Sequence, residues 1–206
     1  MLDDAMISII TPENAGFYAQ TLEAKDIGSL VLRLDSAEDK IRYPAFLLLR
    51  ERSKIAADVY PFWDVLAAKL TSENSYQRSI GVMLLSANAQ HDTACNMQEA
   101  LPDVLRLLGD PKPITVRQCA QALPEILSAK PELADQIGQA IRSVDLMAYK
   151  DTMRKLILID FLEALLLVRQ ACPTPELEAY FFSALSGSIL DEKAKKQFRQ
   201  RLSLPA

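Results

Sequence analysis

The chain has little glycine, only six residues in 206, and it holds a single histidine, a single tryptophan and three cysteines. Each scarcity excludes something. Six isolated glycines do not build phosphate-cradling loops, and GxxxxGK[ST], GxGxxG, GxSxG and HExxH motifs are all missing. Cys95, Cys119 and Cys172 stand without CxxC spacing, which fits reduced thiols rather than a disulfide framework or a zinc site. Alternating β-branched runs joined by Asn-Gly or Asp-Gly turns are absent, so no sheet is expected. The most apolar segment, "KLILIDFLEALLLV", is broken by Asp160 and Glu163 and falls short of a membrane span. The opening "MLDDAMISII" carries two aspartates where a secretory leader carries positive charge, so the expected location is cytoplasmic.

What remains is rich in apolar residues. They make up 50% of the chain, against 24% charged, which rules out disorder and leaves enough material for a sizeable core. The net charge of −4 argues against a broad phosphate-binding surface, which needs an excess of Lys and Arg. Apolar residues recur at steps of three and four: Phe62, Leu66 and Leu70 share one face, and Leu101, Val104, Leu105 and Leu108 another. Asp, Ser or Asn precede the restarts, while Pro or Gly mark the breaks. The pattern predicts an all-α protein.

A longer period lies over the short one. Helix restarts centred on Arg42, Arg78, Arg117 and Arg154 recur at intervals of 36, 39 and 37 residues. Three residues after each arginine stand Ala45, Gly81, Ala120 and Ile157, and six after stand Leu48, Leu84, Leu123 and Asp160. A separate apolar helix ends before each restart, near Leu34, Leu70, Leu108 and Ile141. Helix pairs of this size cannot bury their apolar faces alone, so neighbours are expected to stack into a continuous core. A small residue at one position lets two backbones approach, which explains a mid-helix Gly81 that otherwise costs about 1 kcal/mol against alanine.

Residues 105–123, "LRLLGDPKPITVRQCAQAL", resemble the turn and second helix of a HEAT repeat. Asp110, Pro111, Pro113, Val116, Arg117, Ala120, Ala122 and Leu123 match its pattern, with one extra residue in the turn. The other units are degenerate: the turn before Arg78 lacks the prolines, and Asp160 replaces a leucine. The resemblance implies a right-handed α-solenoid of about four to five HEAT- or armadillo-like helix pairs in a single domain. Residues 1–34 form its N-terminal cap, 35–172 the array and 173–206 the C-terminal cap. It also implies that Arg42, Arg78, Arg117 and Arg154 are structural, each bonding an aspartate of a neighbouring turn, with Asp35, Asp110 and Asp145 as candidates.

Several clusters invite a chemical reading. His91, Asp92 and Cys95 lie close together, yet zinc needs three or four ligands and a Cys-His dyad needs oxyanion donors, so an inter-helix loop is expected. Tyr60, Phe62 and Trp63 fit core packing at a helix entry better than base stacking, because Lys69 is the nearest downstream cation. Asp160 lies inside a helix apolar on nearly every side and needs a partner, for which Arg154 or Lys155 is available. Leu177, Phe181, Leu185 and Ile189 are the expected cover of that helix; incomplete cover would leave a homodimer or partner patch. Residues 1–35 carry six acids against Lys25 and Arg33, while 191–202 carry five bases against Asp191 and Glu192, a charge asymmetry that solvated caps accommodate.

No catalytic, cofactor-binding or metal-ligating set emerges. The expected function is non-enzymatic: a scaffold or adaptor that holds a protein or peptide on the concave face of a short array. Positions one and eight after each arginine are expected to point outward there: Tyr43 and Arg50, Ser79 and Ser86, Gln118 and Glu125, Lys155 and Leu162. A regulatory subunit of another enzyme fits the same pattern. The rival class is a nucleic-acid enzyme, since bacterial DNA-alkylation-repair glycosylases are similar HEAT-like solenoids. That activity needs a basic stripe along the concave helices, and these positions are mixed.

Overall fold

The computed structural model describes residues 4–203; residues 1–3 and 204–206 of the expected caps lie outside them. Among the described residues there are twelve α-helices, six short 3-10 turns and no strand. The chain divides into two compact units, Met1–Asp103 and Val104–Ala206.

The first unit contains α1 (Asp4–Ser8), α2 (Ala15–Ala19), α3 (Ala24–Arg33), α4 (Asp39–Ser53), α5 (Trp63–Ala68) and α6 (Ser75–Asn88). The division point falls within α7 (Asn96–Arg106). Helices α1, α2 and α3 all pack on α4, and α6 packs on both α4 and α5. The second unit contains α8 (Pro113–Ala129), α9 (Ala134–Ser143), α10 (Asp151–Ala171), α11 (Pro175–Ser186) and α12 (Glu192–Leu202). Here α10 is the hub: it packs on α8, α9 and α11, and α11 carries α12.

Local chemistry sets the helix starts. Asn74 caps α6 by accepting the Tyr76 N–H at 2.9 Å, Thr174 caps α11 at the Leu177 N–H, and Asp191 caps α12 at the Ala194 N–H. Pro113 opens α8, where its missing N–H has no intrahelical partner to lose. Proline does not always mark a break: Pro44, Pro102 and Pro124 lie inside α4, α7 and α8.

The four arginines each fall in the first turn or just beyond it on α4, α6, α8 and α10. The positions three residues later, Ala45, Gly81, Ala120 and Ile157, are all buried, as are Leu48, Leu84, Leu123 and Asp160. Burying each of those leucines contributes about 1.5–3 kcal/mol. Helix α6 is enclosed along most of its length, from Ser79 through Val82 and from Leu84 through Asn88. On α10, Ile157, Leu158, Phe161, Leu162 and Leu165 are buried, and the expected cover is in place at Leu177, Phe181 and Leu185. Ile189 is only half-buried.

The outward orientation expected of positions one and eight after each arginine holds for part of the set. Tyr43 is exposed, and Arg50, Gln118, Glu125 and Lys155 are half-buried, but Ser79, Ser86 and Leu162 are buried. The reason is packing. A helix packed against several neighbours has only a narrow free strip, and Ser79 and Ser86 on α6 and Leu162 on α10 fall outside it.

Gly81 is where α6 comes closest to its neighbours. A Cβ there would stand 3.0 Å from both the Leu66 carbonyl oxygen and the Lys69 Cβ, and 3.3 Å from the Leu70 nitrogen. Two of those atoms are backbone and cannot swing aside. Gly81→Leu is therefore expected to lower stability by about 1–3 kcal/mol despite its better helix propensity. Urea denaturation checks this, and an unchanged midpoint would contradict the close approach.

Candidate functional site

Polar bonds at the helix ends tie helices and turns together within each unit. Three of the arginines hold the turn that precedes their own helix. Arg42 Nη1 donates to the Ser36 carbonyl at 2.9 Å, Arg78 Nη1 to Ser72 at 2.8 Å, and Arg154 Nε to Tyr149 at 2.7 Å. These bonds satisfy carbonyls that the turn leaves without helical partners. Of the aspartates expected opposite them, Asp35 takes the ammonium of Lys69 at 2.5 Å and Asp145 accepts the Met147 N–H. Asp110 accepts the Lys112 N–H.

Other residues carry the bonds between elements distant in sequence. In the first unit, Gln77 Nε2 donates to the Leu34 carbonyl at 2.7 Å, and the buried Lys69 reaches both Asp35 and Gln77. In the second, the Tyr149 hydroxyl reaches the carbonyls of Leu108 and Asp110 at 3.3 and 3.4 Å; burial, then the nearby Asp110 charge, raises its pKa. At the opposite helix ends, Asn88 donates to the Ser53 hydroxyl, while Gln90 and His91 meet the Ser53 carbonyl at 2.9 and 2.8 Å.

Asp160 is partnered differently from the sequence-based expectation. It is 8% exposed and accepts Arg117 Nε at 2.6 Å and Gln121 Nε2 at 3.0 Å, both from α8. Arg154 and Lys155 precede it by six and five residues on the same helix, spacings that do not place two side chains side by side; three and four do. Lys155 instead pairs with Asp191, whose carboxyl lies below its ordinary range because of that ammonium and the Ala194 N–H. Arg117 thus joins α8 to α10, across 43 residues of sequence.

The His91, Asp92, Cys95 cluster is a helix start. Buried Asp92 accepts the N–H groups of Asn96 and Met97 at 3.0 and 2.9 Å and the Tyr60 hydroxyl at 2.9 Å. His91 turns to Ser53, and the exposed Cys95 lies in the left-handed region with φ of 62°. Buried Cys119 donates to the Val104 carbonyl, and burial pushes its thiol pKa up. Trp63 is buried against Tyr60 at 5.6 Å, edge to face, while Tyr60 and Phe62, in the 3-10 turn before α5, are half-buried. Among the described residues, no group of three His, Cys, Asp or Glu side chains converges as a metal site. No described helix is long and apolar enough to cross a membrane.

The surface of the first unit carries a different feature. Tyr43 on α4 and Tyr76 at the start of α6 are 46% and 65% exposed. The Arg42 guanidinium stands 5.3 Å from the centroid of the Tyr76 ring, and Tyr43 stacks on Phe46 at 6.2 Å. Both tyrosines are therefore held in place by neighbours while presenting a face to solvent. Sequence reasoning selected Tyr43 but missed Tyr76, which lies outside the seven-residue stripe; its signal was an aromatic two residues after a capping Asn. On the second unit, Ile114 at the start of α8 and Leu156 on α10 are also exposed, again outside the expected stripe.

No protein-family model matches the chain, and no curated protein is significantly similar to it. Its backbone is similar to the crystal structure of an engineered protein, with 17% sequence identity, a TM-score of 0.51, and coverage of 97% of this chain and 89% of that one. At that identity the likeness concerns the fold alone.

The Arg117–Asp160 bond is open to a direct measurement. Asp160→Ala leaves a guanidinium only about a quarter exposed without its carboxylate and is expected to cost about 2–3 kcal/mol. Arg117→Leu combined with Asp160→Leu is expected to recover most of that loss, because no charge is then stranded. A double-mutant cycle in urea reads both values, and a negligible loss for Asp160→Ala would show that the pair does not bind α8 to α10.

Proposed function

We propose that this chain is a non-enzymatic binding module that holds a protein or an extended peptide. Its helix pairs stack as a right-handed α-solenoid of HEAT- or armadillo-like units, and the partner lies along the face that carries the starts of the second helices. The observation that carries this reading is the pair of exposed, immobilised tyrosines beside Arg42. Tyr and Arg are enriched among the residues that dominate protein interfaces, and a ring already fixed by a neighbour loses little entropy on binding. Tyr43 and Arg50 belong to the proposed face in the first unit, and Gln118 and Glu125 to that in the second; buried Ser79 and Ser86 do not, and Lys155 is engaged with Asp191. Mixed charge along the second helices and a net charge of −4 favour a protein partner over nucleic acid. A role as the regulatory subunit of an enzyme is one form of the same activity.

Two measurements test it. Affinity capture from the native host is expected to recover a partner with the wild-type chain and to lose it with Tyr43→Ala combined with Tyr76→Ala, whose helical circular dichroism stays unchanged. Two hot-spot truncations lower affinity at least about 30-fold together. Equal recovery by both chains would remove the tyrosine face, and tight, salt-sensitive duplex binding in a gel shift would favour the nucleic-acid class. Small-angle scattering tests the stacking: a solenoid gives a radius of gyration clearly above the about 17 Å of a compact domain of this length.

A further inference from the structure

The second unit holds a cleft of about 290 Å³ bounded by the 3-10 turn Leu146–Ala148, α10, α11 and the loop after α11. Leu146, Leu158 and Ile189 supply apolar walls, and Tyr180, Ser183 and Ser188 supply three hydroxyls. Among the described residues, no charged side chain lines it. Burial pushes the Tyr180 phenol up to about 12, yet among the described residues its hydroxyl has no hydrogen-bond partner. Tyr180 is half-buried, so a hydroxyl that no protein group occupies is free to donate to a molecule in the cleft.

We propose that this cleft binds a small uncharged apolar molecule carrying a carbonyl or ether oxygen, to which the Tyr180 hydroxyl donates. Three features choose that class. The walls favour apolar surface, the lack of a lining counter-charge penalises a carboxylate or an ammonium, and a donor left free by the protein at the cleft favours an acceptor. The volume lies at the lower edge of small-molecule sites, which limits the occupant to a single ring or a short chain. The site lies wholly in the second unit and does not rest on the tyrosine face of the first.

Three probes of nearly one shape separate the terms: acetophenone carries the ring and the carbonyl, ethylbenzene lacks the acceptor, and benzoate adds a charge. Titrations of the ¹⁵N-labelled full chain are expected to show saturable movement of the Leu146, Tyr180, Ser183, Ser188 and Ile189 amides with acetophenone. Ethylbenzene is expected to bind several-fold more weakly and benzoate not measurably. Tyr180→Phe, nearly isosteric, is expected to abolish the preference for acetophenone while ethylbenzene binding persists. Ala184→Phe fills the cleft and is expected to abolish both. The proposal is overturned if acetophenone gives no saturable movement at these amides up to its solubility limit. It is equally overturned if ethylbenzene or benzoate binds as well as acetophenone, or if Tyr180→Phe leaves the preference intact.

Discussion

A helix that is apolar around most of its circumference has to be covered from several sides, and this requirement governs the rest of the molecule. Helix α6 meets it with α4 and α5, and α10 meets it with α8, α9 and α11. Covering such a helix forces close approach, which is why the position three residues after each arginine is occupied by Ala45, Gly81 or Ala120. Where a larger residue takes that place, at Ile157, it is still fully enclosed. Non-directional apolar burial supplies the driving force, but it does not by itself choose the register of one helix against another.

Register comes from the polar bonds at the helix ends. The turn near Leu34 and Asp35 is held by Lys69 and Gln77, and the turn near Leu108 and Asp110 by Tyr149. Each of these bonds satisfies a turn group from a residue 34 to 43 positions further along the chain. Asp160 extends the principle into a helix middle. A carboxylate there is tolerated because Arg117 and Gln121 converge on it from α8. The directional demand of a buried charge makes one alignment of α8 against α10 preferable to a slipped one. The surface tyrosines inherit this order, since Arg42 both holds the turn at Ser36 and lies against the Tyr76 ring.

The helical class and the buried positions at fixed offsets from the arginines were legible in the sequence because helix periodicity is local. Leu48, Leu84 and Leu123 sit at a fixed offset from an arginine, and all three are buried. The close approach at Gly81 was legible for the same reason: a mid-helix glycine is unfavourable unless something packs against it. The candidate site was read less well. Tyr43 is exposed, the exposed Tyr76 was not singled out, and Ser79, Ser86 and Leu162 proved buried. A seven-residue stripe identifies which residues share a face, not which face a flanking helix will cover.

Sequence by itself determined where the helices run, which residues enter the core and which turns interrupt them, because those choices depend on neighbours three or four positions away. Tertiary structure alone decided which side chains meet across 30 to 43 residues, such as Tyr60 with Asp92, Gln77 with Leu34 and Arg117 with Asp160. The spacing along one helix pointed to Arg154 or Lys155 for Asp160. Only the packing of α8 on α10 could bring Arg117 there, since the pairing of a buried charge is set by what lies nearest in space.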